Sequence, residues 1–128
     1  MPRVGDVINY AFLFDHERAA GLHEGKIRPV LVMAVVERRV TVMALTTKGD
    51  ASRPGTIAIP DAVARAMDLP AAQTSLVPDA LNRFEWVGYD LRPRGPGRDH
   101  RFGRCPPGFF TKALEAIGPG AVPVRRDV

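Results

Sequence analysis

Arginine is the chemically capable residue that this chain concentrates. Arg92, Arg94, Arg98, Arg101 and Arg104 fall within residues 92–104, interrupted by one acid, Asp99, and padded with Gly95, Pro96, Gly97 and Gly103. Lys and Arg number 18 against 14 Asp and Glu, a net of +4, but residues 1–91 carry −1 and residues 92–128 carry +5. A mobile guanidinium-rich loop attracts phosphate through long-range steering and counterion release. The same stretch also reads as a solvated loop that keeps the protein soluble, and charge alone does not choose between the two. Metal chemistry finds little support: His16, His23 and His100 show no i, i+4 pairing, and Cys105 adds no ligand spacing. Gly95-Pro96-Gly97 lacks the helix and lysine that follow a phosphate-cradling loop. Taken singly, Arg28 before Pro29 reads as a strand-start arginine in a surface ion pair, and Thr46 as a β-former at a strand end. Trp86 with Phe84 reads as core before base-stacking platform, and Asn82 as a turn residue before a contact to a base edge.

These residues need elements to position them, and the pattern is mainly that of strands. Residues 6–14 are β-rich behind Gly5, and 15–27 form a polar loop with a helical turn near 17–20. The nearly all-apolar run 29–36 reads as a central strand covered on both faces, returning through Glu37-Arg38-Arg39 into a second strand over 40–46. Short strands are expected at 56–59 and 76–77, and another at 84–91. A short helix follows Pro60 over 61–68, and a last one spans 109–117 with Phe110, Ala113, Leu114 and Ile117 on one face. Residues 92–104 are too irregular for a regular element. The class is therefore mainly β with short helices: a small antiparallel barrel, since closure removes exposed edges, with a C-terminal helix.

At 128 residues, 45% hydrophobic and 25% charged, the chain fits a single domain over 1–128 that can bury a core without disulfide or metal staples. The longest apolar run is eight residues, far short of a membrane span, and no secretory leader is expected. A single cysteine suits a reducing compartment, so the cytoplasm is the default location.

Several short motifs occur in a telling order. Gly5-Asp6-Val7-Ile8 opens the chain; Lys26-Ile27-Arg28-Pro29-Val30-Leu31-Val32 follows a polar loop; Val42-Met43-Ala44-Leu45-Thr46-Thr47 closes the next strand. Ile57-Ala58-Ile59-Pro60, Asp68-Leu69 and Leu81-Asn82-Arg83-Phe84-Glu85-Trp86 come later. Over roughly residues 4–92 this arrangement resembles the MazF/PemK family of toxin ribonucleases.

That resemblance implies an SH3-like barrel, usually a homodimer, that cuts single-stranded RNA without a cofactor. By motif the catalytic residues are Arg28 and Thr46, with Thr47 the other register. The chemistry is coherent with those residue types. RNA carries its own nucleophile, the 2′-hydroxyl, which attacks the adjacent phosphate to leave a 2′,3′-cyclic phosphate and a 5′-hydroxyl. Arg28 supplies a permanent planar cation for the crowded phosphate oxygens, and the Thr46 hydroxyl holds one of them in register. An arginine is a poor general base. Candidates for that role are His23 and Glu24, then Asp79 and Glu85. Substrate contacts are expected from Lys26, Glu24, Thr47, Asn82, Arg94, Arg98 and Arg101. An acidic antitoxin protein would meet the 15–27 loop and the arginines of 92–104. Two other classes stay open: a non-enzymatic inhibitor on the same barrel, such as a gyrase poison, and a basic nucleic-acid-binding module without turnover.

Overall fold

Two long, β-branched runs make the centre of the molecule. In the computed structural model, which describes residues 1–47, 55–70, 73–88 and 90–126, β2 (Lys26–Val36) and β3 (Arg39–Thr47) form an antiparallel hairpin turning at Glu37 and Arg38. β1 (Asp6–Phe12) pairs with β2, and β5 (Gln73–Glu85) pairs with β3. β4 (Ile57–Ala58), β6 (Arg101–Arg104) and β7 (Val124–Arg125) complete a sheet of order β4-β5-β3-β2-β1-β6, with β7 parallel to β5 on the edge it shares with β4. Three helices connect these strands: α1 (Asp15–Ala19), α2 (Asp61–Ala66) and α3 (Pro107–Glu115). The chain is mainly β, a curled antiparallel half-barrel with a short C-terminal helix. Among the described residues no helix is long and apolar enough to cross a membrane.

Alternation along the strands divides the apolar residues between two faces. Val7, Leu31, Met43, Leu45, Leu76 and Leu81 share one core with Met67, at the end of α2, and with Phe109 and Ala113 of α3. Ile8, Tyr10, Phe12, Val30, Val32, Val42, Ala44 and Phe84 make the other. Within it Tyr10 of β1 stacks on Phe84 of β5 with ring centroids 4.7 Å apart. In α3 Phe109 and Ala113 are buried and Phe110 and Ile117 pack partly buried against the core, while Leu114, expected on the same face, is half exposed. Pro107 sets its first turn, and residues 116–117 fall beyond its end.

Strand β5 is one strand where the sequence suggests two. Its register to β3 jumps between Met43↔Leu81 and Ala44↔Val77, so Pro78, Asp79 and Ala80 leave the ladder. A proline that lacks an N–H is harmless in such a bulge. Asp79 there accepts from the Gly118 N–H at 2.8 Å and ties the bulge to the end of α3. Beyond Glu85 the chain leaves the β3 ladder; of the strand expected over 84–91, Phe84 and Glu85 stay in β5 and Leu91 makes an isolated antiparallel bridge to Tyr10.

The arginine-rich stretch also departs from expectation, because it contains strand β6 and a closed turn. The Arg98 N–H donates to Gly95 O at 3.0 Å, and Arg94 N–H to Asp99 O at 3.0 Å. Gly103 is required by close approach: a Cβ there would lie 2.3 Å from Ala66 O, and its own N–H donates to Met67 O at 2.9 Å.

Asn82 closes the curl. In sheet order β5 and β1 are separated by β3 and β2, yet the Asn82 amide bonds the backbone directly after β1. Leu13 N–H donates to Asn82 Oδ1 at 2.9 Å, and Asn82 Nδ2 donates to Leu13 O at 2.7 Å. Arg126, almost wholly buried, donates to the same Oδ1 at 3.1 Å and to Ala11 O, and pairs with Asp90 at 3.2 Å. Asn82 is fully buried, which corrects the expectation that it meets substrate.

Asn82→Ala leaves the Leu13 N–H and C=O without their partner and should lower unfolding free energy by about 2–3 kcal/mol in urea titration. A loss under about 0.5 kcal/mol would remove the closing role. His100 packs against Trp86 at 5.6 Å, and its Nε2 is buried without a hydrogen-bond partner among the described residues. Burial lowers its pKa from the ordinary 6.5, with Arg101 and the N-terminal amine adding to the effect and Asp99 opposing it. The unfolded chain therefore binds this proton first, and the folded state loses stability as pH falls through and below 6.5. In paired urea titrations at pH 7.5 and 5.5, His100→Gln should lose less stability on acidification than the parent. Equal losses would contradict this.

Candidate functional site

The register of the central hairpin brings Arg28 and Thr46 together. Each lies two residues beyond the pair Val30↔Ala44, one on β2 and one on β3, on the face shared with Val30 and Ala44. Arg28 sits opposite Tyr10 of β1 and is half-buried. Its guanidinium reaches the Leu45 carbonyl at 3.5 Å and lies over the Phe14 ring, 4.9 Å from the centroid. Stacking on an aromatic face and a backbone acceptor together fix the plane of the fork. Thr46 is 1% exposed, opposite Ser75 of β5, which is 3% exposed. The hydroxyls therefore lie beneath the surface, and Arg28 is the group of this pair that reaches solvent.

Phe14 is held from two sides. Leu13, its neighbour, is bonded to Asn82, and the Phe14 N–H donates to Glu17 Oε1 at 2.9 Å at the start of α1. This places His16 against Phe14, rings nearly parallel and centroids 5.6 Å apart. Arg28 and His16 thus share one aromatic partner, although twelve residues separate them in sequence. Nothing in the sequence pattern marks His16 or Ser75 as neighbours of Arg28 and Thr46. Ring contacts between a short helix and a strand leave no periodic trace, and Ser75 lies in the part of β5 that the apolar pattern does not reach.

Other expected site residues divide between near and far. Lys26 lies on the same strand two residues before Arg28 and is exposed, as are Glu24 and His23 in the preceding loop. That loop is pressed onto β1: a Cβ on Gly25 would lie 2.4 Å from both Ala11 O and Phe12 O. Arg126 also donates to His23 O at 3.4 Å. The Thr47 side chain lies outside the described residues. Asp79 belongs to the β5 bulge and Glu85 pairs with Arg39, seven residues or roughly 23 Å along β3 from Thr46. Neither can serve as base to a phosphate on Arg28.

The arginines of 92–104 are largely committed to the fold. Arg94 pairs with Asp68 at 3.0 Å, lies over the Phe102 ring at 4.0 Å and donates to Arg101 O at 3.1 Å. Arg104 pairs with Asp6 and donates to Val4 O at 3.1 Å, and Arg92 donates to Leu91 O at 2.9 Å. Arg98 and Arg101 are exposed. β6 lies across β1 from β2, so Arg101 and Arg28 are on strands about 10 Å apart.

Phe84 is buried on Tyr10 and offers no stacking platform, while Trp86 packs beside it at 6.5 Å and stays partly exposed. Burial pushes the Cys105 thiol up to about 11, which keeps it protonated and unreactive near neutrality. Among the described residues no group of three or more His, Cys, Asp or Glu is placed to hold a metal ion. Compared with known proteins, the chain matches no family model and no curated sequence.

Proposed function

We propose that this chain is a metal-independent endoribonuclease of the MazF/PemK toxin type, cutting single-stranded RNA at the strand end that carries Arg28. The observation that supports the reading most is Arg28, a partly exposed residue whose guanidinium is oriented by Phe14 and the Leu45 carbonyl beside Thr46. In the reaction the 2′-oxygen bonds to phosphorus as its proton passes to a base. The bond to the 5′-oxygen then breaks, and that oxygen takes up a proton. Arg28 stabilises the charge accumulating on the phosphate oxygens. His16 is the base this reading favours, because it packs on the aromatic ring that carries Arg28; His23 and Glu24 lie in the loop just before. Thr46, being buried, is a positioning residue for Arg28 rather than a phosphate contact. The same reading implies a cytoplasmic homodimer restrained by an acidic antitoxin.

Burial of Thr46 also favours a second reading, RNA binding without turnover. One experiment separates the two. Purified protein, incubated with single-stranded RNA in excess chelator, should leave 2′,3′-cyclic phosphate and 5′-hydroxyl ends. Arg28→Ala should lower the cleavage rate roughly 10²–10³-fold with an unchanged melting temperature. Thr46→Ala should lower kcat more than it raises KM, and Thr46→Ser should restore most of the loss. RNA binding without product would leave the second reading, and strict dependence on Mg²⁺ or 5′-phosphate ends would overturn the first.

A further inference from the structure

The face that carries the helix-covered core changes character at its other end. Beyond Met43 and Leu81, β3 and β5 continue with Thr41 and Arg39 opposite Arg83 and Glu85, and β7 sets Arg125 beside Arg83. Directly paired residues project to the same face, so three arginines from three adjacent strands converge there. Arg39, Arg83, Glu85 and Arg125 line a cleft of about 550 Å³. That volume falls in the range of small-ligand sites, roughly 300–1,000 Å³.

Among the described residues the cleft sets three arginines against one carboxylate, Glu85. None of the three arginines forms an ion pair among the described residues, although Glu85 stands directly across from Arg39. Arg83, which lines the cleft, donates from Nε to Thr41 Oγ1 at 3.2 Å, and that bond does not use its two terminal nitrogens. Arg83 and Arg125 are cross-strand like charges, an arrangement that destabilises a sheet unless an anion neutralises it. A carboxylate has two oxygens and is satisfied by one fork, whereas a phosphate presents three or more and can take up several. Glu85 can accept from a hydroxyl or amino group beside that anion.

We propose that this cleft binds a nucleotide: its phosphate among Arg39, Arg83 and Arg125, and a sugar or base donor on Glu85. The nucleotide is either free or part of a single-stranded RNA. The inference is independent of cleavage at Arg28, which lies on the other face near the opposite end of β3.

The test uses the full chain with adenosine 5′-monophosphate and with a 12-nucleotide single-stranded RNA in chelator, the latter in an Arg28→Ala background so that the strand persists. Calorimetry should give saturable monophosphate binding that inorganic phosphate displaces. Arg39→Gln/Arg83→Gln should weaken it at least tenfold while the melting temperature of the ligand-free protein does not fall, since both residues are exposed and one of two like charges is removed. On RNA the same change should flatten the slope of log K against log salt by about 1.4, or ~0.7 per lost contact. Weakening of the monophosphate alone assigns a free nucleotide, and weakening of RNA binding alone assigns a nucleotide within a strand. Glu85→Gln, which keeps the arginines, should raise the affinity for inorganic phosphate. Unchanged binding of both probes in the double variant overturns the inference. So does a glutamate-rich peptide that binds more tightly than either probe and is lost in the same variant. Cleavage, scored separately with the parent Arg28, reports on the other face and can fail while nucleotide binding stands.

Discussion

A side-chain amide takes the place of a strand pair where the sheet of this protein closes. β1 and β5 lie two strands apart, and an open sheet would hold them roughly 14 Å from each other. The Asn82 amide bonds both the N–H and the C=O of Leu13, so the ends of the two strands meet. Arg126 adds a buried charge to the same oxygen and carries its own counter-ion, Asp90. Buried polar groups of this kind are stabilising only when every member is satisfied. The interior follows from that closure: Tyr10 can stack on Phe84 only if β1 and β5 face each other. So does the candidate site, because Phe14, the next residue after Leu13, is the ring on which Arg28 rests.

Much of the frame was legible in the sequence. The apolar run of β2, the turn at Glu37 and the alternation of β3 made the central hairpin plain, and that hairpin sets Arg28 beside Thr46. The helix after Pro60 was marked by its proline, and the last one by the spacing of Phe110, Ala113 and Ile117. What escaped was set by tertiary contact. Pro78 hid the continuity of β5, because a bulge can absorb a proline without any local sign. Asn82 looked like a turn residue since an isolated sequence does not show which backbone it meets. His16 and Ser75 came to the site through packing alone.

The basic C-terminal third shows why net charge is a coarse guide to a binding surface. Its excess of +5 suggested a mobile electrostatic loop, yet Arg94, Arg104 and Arg126 are spent on Asp68, Asp6 and Asp90. These pairs fasten β6 and the chain end to the barrel. The cations at least partly exposed elsewhere are Arg28 at one strand end, Arg98 in the turn before β6, Arg101 at its start, and Arg39, Arg83 and Arg125 across the opposite face. An anionic strand that spans the barrel would meet charge on more than one side, with Arg28 the one cation of these held against an aromatic ring.

The central claim is that the phosphate under attack sits on Arg28. The most direct measurement is the ¹⁵N resonance of the Arg28 Nε–H during titration with an uncleavable single strand in which hydrogen replaces each 2′-hydroxyl. The account predicts a saturable shift at Arg28, accompanied by the ring signals of Phe14 and His16. A titration that moves Arg98 and Arg101 while Arg28 and Phe14 stay fixed would contradict it.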